Sequence, residues 1–132
     1  KSGVVWALNP DNGALVWSNR VGRGSANGGA HWGLAFDGTR IFAPMNDNAQ
    51  PSAEFPLAGV GLHALDIETG KVLWSVKGEG DCSGDRKDRY AACATRFGFS
   101  PAPLVVDGAV IQGSVDGILR VYDAVTGAEL WR

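Results

Sequence analysis

Two cysteines and two histidines are the side chains of this chain with the widest chemical reach. Cys82 and Cys93 stand eleven positions apart. That spacing fits neither the CxxC pairs of zinc sites nor the CxxCH of haem attachment. An even count at loop spacing favours a disulfide, and with it an oxidising compartment; the alternative is two reduced thiols. His31 and Trp32 sit together in "GGAHWG", Asn46 and Asp47 open the polar run "NDN", and Arg20, Arg23 and Arg96 are scattered between apolar runs. These groups fall in separate stretches of the chain. Any joint chemistry depends on elements that bring them together.

Those elements repeat. "WALNPDNGALVW" (residues 6–17), "HALDIETGKVLW" (63–74) and "RVYDAVTGAELW" (120–131) align without gaps, sharing a Gly and a final Trp. Apolar residues fill the second and third positions, and Asn9, Asp66 or Asp123 follows. A second pair, "WGLAFDGTRIFAP" (32–44) and "APLVVDGAVIQGS" (102–114), places Asp-Gly between two apolar runs. Asp-Gly there signals a hairpin, because a type I′ turn needs φ > 0 at both central residues. No helical periodicity appears.

Each unit therefore holds four short strands, A to D. In one unit they cover about 32–36, 40–45, 61–65 and 71–76; in the next, about 103–106, 109–113, 118–122 and 129–131. Before these come only a C and a D strand, at about 4–8 and 14–17. The Trp interval is 57 both times, but the loops inside it differ in length, so the framework repeats and the loops do not. Four antiparallel strands every 40–50 residues or so make a β-propeller blade.

The fold class is thus all-β: tryptophan-docking blades in an incomplete ring of about two and a half. The single partial propeller comprises an outer half-blade at 1–19 and full blades at 28–77 and 97–132. Trp17, Trp74 and Trp131 are expected to stack on the neighbouring blade and cover its backbone, each burying roughly 200 Å2. Gly13, Gly70 and Gly127 fall in C–D turns that require a left-handed conformation. Two and a half blades leave unpaired edges and apolar faces, so the chain reads as a fragment of a longer protein or a piece of an assembly. Alone, it is expected to associate or to be marginally stable.

Glycine is abundant, at 19 of 132 residues, without a collagen period. The net charge of −2, with acids and bases mixed, leaves no basic stripe for nucleic acid. No apolar run reaches the roughly 18 residues of a membrane helix. The first residues carry no leader pattern, so an export signal for the parent protein would lie outside this sequence.

Strand connectivity sorts the loops. A–B and C–D turns share one rim and are tight. B–C and D–A connections share the other, and every long loop (18–30, 46–60 and 77–99) belongs to it. Long loops gathered on one face of a rigid scaffold usually carry function. On that rim His31 and Trp32, and residues 96–100, approach strand A nearest the axis, while Asn46, Asp47 and Asp116 follow strand B. Trp32 is either a binding platform or core packing, and the arginines are either ligand partners or solvated loop charges. "NDN" is either functional or a turn. His31 reads as a hydrogen-bonded channel residue and not a base. His63, aligned with Trp6 and Arg120, reads as a lateral packing position.

"SPAPLVVDGAVIQGSVDGILRVYDAVTGAELW" (100–131), with the two other Gly-x-x-x-Trp phrases, resembles the docking repeats of pyrroloquinoline-quinone (PQQ) dehydrogenases. "GGAHWGLAFDG", then "GLHALDIETGKVLW" and a Cys-containing insert, is most similar to the polyvinyl-alcohol dehydrogenase type. The resemblance implies oxidation of an alcohol: an Asp base takes the hydroxyl proton, and hydride passes to a quinone polarised by Ca2+. It implies Trp32 and His31 beside the quinone, Arg96 and Arg23 (or Arg20) on its carboxylates, Asn46 and Asp47 as Ca2+ ligands, and Asp47 as candidate base. It implies an alcohol substrate, a cytochrome c acceptor, the remaining blades of a parent chain and a bacterial periplasmic or secreted location. Related propellers keep the repeat without a cofactor, so the rival is a non-catalytic scaffold binding proteins in the bacterial envelope.

Overall fold

The computed structural model describes residues 2–24, 28–46, 60–95 and 97–132. Among these described residues ten antiparallel strands form three sheets. Blade 1 is β1 (Val4–Leu8) with β2 (Leu15–Arg20). Blade 2 is β3 (Ala35–Phe36), β4 (Arg40–Met45), β5 (Gly61–Asp66) and β6 (Val72–Lys77). Blade 3 is β7 (Leu104–Val106), β8 (Ala109–Gly113), β9 (Leu119–Asp123) and β10 (Glu129–Trp131). Within each full blade the strands pair in chain order. The result is a partial, unclosed propeller.

The core lies between sheets. Phe42, Leu62 and Ala64 of blade 2 meet Val110, Tyr122 and Ala124 of blade 3. On its opposite face blade 2 packs Ala43, Met45 and Leu65 against Val5 of blade 1. Blade 2 is covered on both sides, so β4 is buried continuously from Phe42 to Met45, with no alternation of inside and outside.

One turn design recurs at each C–D hairpin. Asp66 Oδ1 accepts from the Thr69 amide (2.8 Å) and hydroxyl (2.6 Å), and Asp123 Oδ1 does the same with Thr126 at 2.7 and 2.8 Å. Asn9 accepts from the Asp11 amide at 2.9 Å. Each turn closes on its glycine, with φ +72° at Gly13, +70° at Gly70 and +73° at Gly127. These are the left-handed conformations that only glycine adopts without strain.

The structure corrects three local expectations. Asp107 (φ +44°) and Gly108 (φ +77°) form the two-residue I′-like turn, but at Asp37-Gly38 only the glycine has positive φ. There Phe36 pairs with Ile41, so four residues make the connection, and the Asp37 carboxylate holds the Thr39 and Arg40 amides at 2.9 and 2.7 Å. β3 is only Ala35–Phe36, shorter than the run from Trp32. The Cys-containing insert, expected as plain loop, contains one helical turn, α1 (Arg86–Arg89), and a 3-10 turn (Ala91–Ala94).

Candidate functional site

Two rims are visible in the hydrogen bonds. On one, the Ile67 amide donates to the Thr39 carbonyl (3.0 Å) and Ala124 to Gly108 (2.8 Å), joining C–D turns to A–B turns. On the other, Asn46 donates to Gly29, Phe99 to Met45 (both 3.3 Å) and Val115 to Gly98 (3.0 Å). Those bonds stitch D–A connections to B–C connections across blade boundaries. The long-loop rim is thus a braced surface. Near the axis β3 lies beside β7, and Gly33 faces Ala102.

The expected site residues take distinct positions on this rim. Trp32 is 75 % exposed, so it is no part of the core. His31 Nε2 lies 2.7 Å from the Gly28 carbonyl. A carbonyl only accepts, so Nε2 carries the proton and Nδ1 of the neutral ring is the acceptor. Asn46 is buried, and its Oδ1 stands 2.5 Å from where a Cβ on Gly98 (φ +111°) would be. The Arg23 carbonyl accepts from Arg20 Nη1 at 3.2 Å, and Arg20 also donates to Ser2 at 2.7 Å, so Arg20 ties down the start of blade 1. Asp47 and Arg96 lie outside the described residues. Among the described residues no group of three or more His, Cys, Asp and Glu is placed to hold a metal ion. His63 Nδ1 meets Ser75 Oγ at 2.8 Å on the cross-strand neighbour, in keeping with a lateral position.

Sequence reasoning missed the most tightly built polar cluster. Asp116 is 1 % exposed and binds Arg120 through both oxygens, at 3.1 and 2.7 Å. It also takes the Ile118 amide at 3.1 Å and the Asp81 amide at 3.2 Å. Burial pushes its carboxyl up, but hydrogen bonds from Arg120, Ser114 and Ile118 and the Arg120 charge outweigh that, bringing it down to about 2. The Phe99 ring lies 6.0 Å from the Arg120 guanidinium. The only sequence signal was an Asp and an Arg flanking a Gly turn and a strand start; their cover comes from the insert after β6 and from Phe99.

The insert packs over this cluster. Cys82 and Cys93 are disulfide-bonded, with Cα atoms 5.5 Å apart. Inside the loop Arg86 donates to the Asp116 carbonyl at 2.6 Å and to the Asp81 carbonyl at 2.9 Å. Beside it opens a polar cleft of about 240 Å3 lined by Lys77, Glu79, Gly80, Asp81, Arg120, Tyr122, Glu129 and Arg132. Its charges neutralise one another: Arg132 with Glu129 (2.6 Å) and Asp81 (3.3 Å), Lys77 with Glu79 (3.8 Å). The cluster therefore ties the insert to blade 3.

A protein-family model described as outer membrane protein assembly factor BamB matches residues 1–132. The chain is 37 % identical over 132 residues to polyvinylalcohol dehydrogenase of Sphingopyxis sp. strain 113P3, covering 99 % of this chain and 19 % of that protein. It is 32 % identical over 132 residues to polyvinylalcohol dehydrogenase of a Pseudomonas species, with the same coverage. The solved europium-containing methanol dehydrogenase superposes with a TM-score of 0.64 at 25 % identity, covering 97 % of this chain and 20 % of that one. The chain thus spans about a fifth of the length of these relatives.

Proposed function

Because the chain belongs, over residues 1–132, to the PQQ-type propeller family described as outer membrane protein assembly factor BamB, we propose that it forms two and a half blades of a longer PQQ-dependent alcohol dehydrogenase. The observation that carries this is the match to polyvinylalcohol dehydrogenase, 37 % identical over 132 residues and covering 99 % of this chain. That match includes the braced rim of long loops on which Trp32 stands exposed.

The described residues fit the quinone better than the metal. An exposed indole beside the axis suits stacking on a flat ring system, where aromatic contacts add about 0.5–1.5 kcal/mol beyond burial. Trp32 is the proposed platform and Arg23 a proposed partner for a carboxylate. His31, whose Nε2–H is used on Gly28, orients the loop and keeps Nδ1 as an acceptor. The quinone supplies a two-electron acceptor for the hydride of the alcohol carbon. Among the described residues no group of three or more His, Cys, Asp and Glu is placed to hold Ca2+, and Asn46, buried beside Gly98, is the proposed ligand within them. Asp47 and Arg96 stay proposals outside the described residues.

The disulfide supports an oxidising location such as the bacterial periplasm or exterior. An alcohol, of secondary or polymeric type, is the proposed substrate, and a cytochrome c outside this chain the proposed electron acceptor. A second reading is favoured by the family description itself: a non-catalytic scaffold that binds proteins in the bacterial envelope.

Alcohol-dependent dye reduction separates the two. The longer protein is loaded with PQQ and Ca2+ and assayed with primary, secondary and poly(vinyl) alcohols. Turnover with any of them upholds the dehydrogenase; a loaded, folded protein that reduces no dye leaves the scaffold.

A further inference from the structure

We infer that the cleft between blades 2 and 3 binds a neutral polyol, a short run of hydroxyl-bearing carbons, through the Tyr122 hydroxyl and the charged groups around it. The site is separate from Trp32, and the inference does not rest on the quinone reading.

Both walls belong to blades that face each other within this chain. Lys77 ends β6, and Glu79 and Asp81 follow it. Across from them Arg120 and Tyr122 stand on β9, with Glu129 of β10 paired opposite Tyr122. The body of Tyr122 is packed: the residue is 3 % exposed, and its ring meets that of Phe99 edge to face at 6.2 Å. Its hydroxyl has no hydrogen-bond partner among the described residues, and the residue lines the cleft. Buried polar groups in folded chains are nearly all paired. A phenol with no partner inside the chain is therefore free to serve one that enters the cleft. Burial pushes its pKa up to about 12 against the pull of the Arg120 charge, so it stays neutral, able to donate and to accept.

The lining sets the charge of the guest. Three cations, Lys77, Arg120 and Arg132, meet three carboxylates, Glu79, Asp81 and Glu129. Arg132 holds Glu129 and Asp81, Lys77 stands 3.8 Å from Glu79, and Arg120 is spent on Asp116. An ionic ligand would have to break one of these pairs and strand its other member. A hydroxyl does not, because it donates to a carboxylate lone pair and accepts from an ammonium or a phenol at once. The volume, about 240 Å3, is below the range of about 300–1,000 Å3 for drug-sized pockets, so a few hydroxylated carbons fill it. Three strand spacings of about 4.8 Å, roughly 14 Å in all, separate outer strand β6 from inner strand β3. The cleft and Trp32 are thus distinct places on the molecule.

Calorimetric titration of the longer protein, free of cofactor, with short poly(vinyl alcohol) tests this. The expected result is saturable binding, weakened about fivefold by Tyr122→Phe, which removes one hydroxyl and keeps the ring. Trp32→Ala should bind like the wild type. Polyethylene glycol of the same length, whose ether oxygens only accept, should bind more weakly, because the cleft carboxylates need donors. Circular dichroism checks that both variants keep their strands. No saturable binding by the wild type overturns the inference. So do equal affinity in Tyr122→Phe, a loss confined to Trp32→Ala, and polyethylene glycol bound as tightly as the alcohol. No quinone is present in the titration, so a failure of quinone uptake leaves its result standing.

Discussion

Gly127 is a glycine because Trp74 occupies the place of its side chain: a Cβ built there would stand 2.7 Å from the indole of the preceding blade. The same indole donates to the Ala124 carbonyl three residues earlier in that turn. Turn geometry and blade packing are thus one constraint, felt at one position. Gly127→Ala should lose about 2–4 kcal/mol, the left-handed penalty plus the overpacking. Gly13→Ala, with matching φ but open space, should lose only about 1 kcal/mol. Urea midpoints of the two variants, taken at a concentration where the chain is monomeric, measure the difference. Equal losses would remove the indole from the explanation.

The acid limb of stability should depend on Asp116. Its carboxyl is held at about 2 in the folded chain against an ordinary 3.8. A depressed folded pKa means the contribution is present above 3.8 and disappears as pH falls through about 2. Its size is on the order of 2 kcal/mol. Asp116→Asn should remove that part of the pH dependence and, by leaving Arg120 buried beside a neutral amide, cost about 3 kcal/mol at neutral pH. Asp66 and Asp123, also lowered through hydrogen bonds from Thr69 and Thr126, keep their share of the acid sensitivity in the variant. Unfolding curves from pH 7 to 2 for both proteins give the comparison.

Reduction of Cys82–Cys93 should loosen the insert and not the blades. The bridge spans 11 positions of sequence. A loop of that length is worth up to about 3 kcal/mol in the chain-entropy account. Hydrogen exchange before and after a thiol reductant should show faster exchange at α1 and the 3-10 turn, with Arg86 released from the Asp116 carbonyl, while β4 and β5 stay protected. Uniform loss of protection would mean the insert is integral to the sheets.

The blade framework was legible because two short-range signals coincide in every repeat. An Asx residue four positions before Gly builds the turn from local hydrogen bonds alone, and the Trp that follows lies on a strand of fixed register. β4, β8 and β10 each begin within two residues of a turn glycine, Gly38, Gly108 and Gly127. The Asp37 turn was misjudged because its geometry is set by where Phe36 pairs, a cross-strand property. Asp116 and Arg120 were not read as a pair because cover by the insert after β6, not spacing, makes their charges matter. The rim of long loops followed from connectivity, while the role of each side chain on it did not: Trp32 is exposed in this chain, and its role as a platform is a proposal.

Quinone uptake tests the central claim most directly. The longer protein, freed of cofactor, is titrated with PQQ while quinone absorbance and tryptophan emission are followed, alongside its Trp32→Ala variant. The expected result is saturable binding, weakened about tenfold by the substitution, as loss of about 1.4 kcal/mol of stacking requires. Circular dichroism of both proteins checks that the substitution leaves the strands intact. No uptake by the wild type, or equal affinity in the variant, would contradict the assignment of this rim as a quinone site.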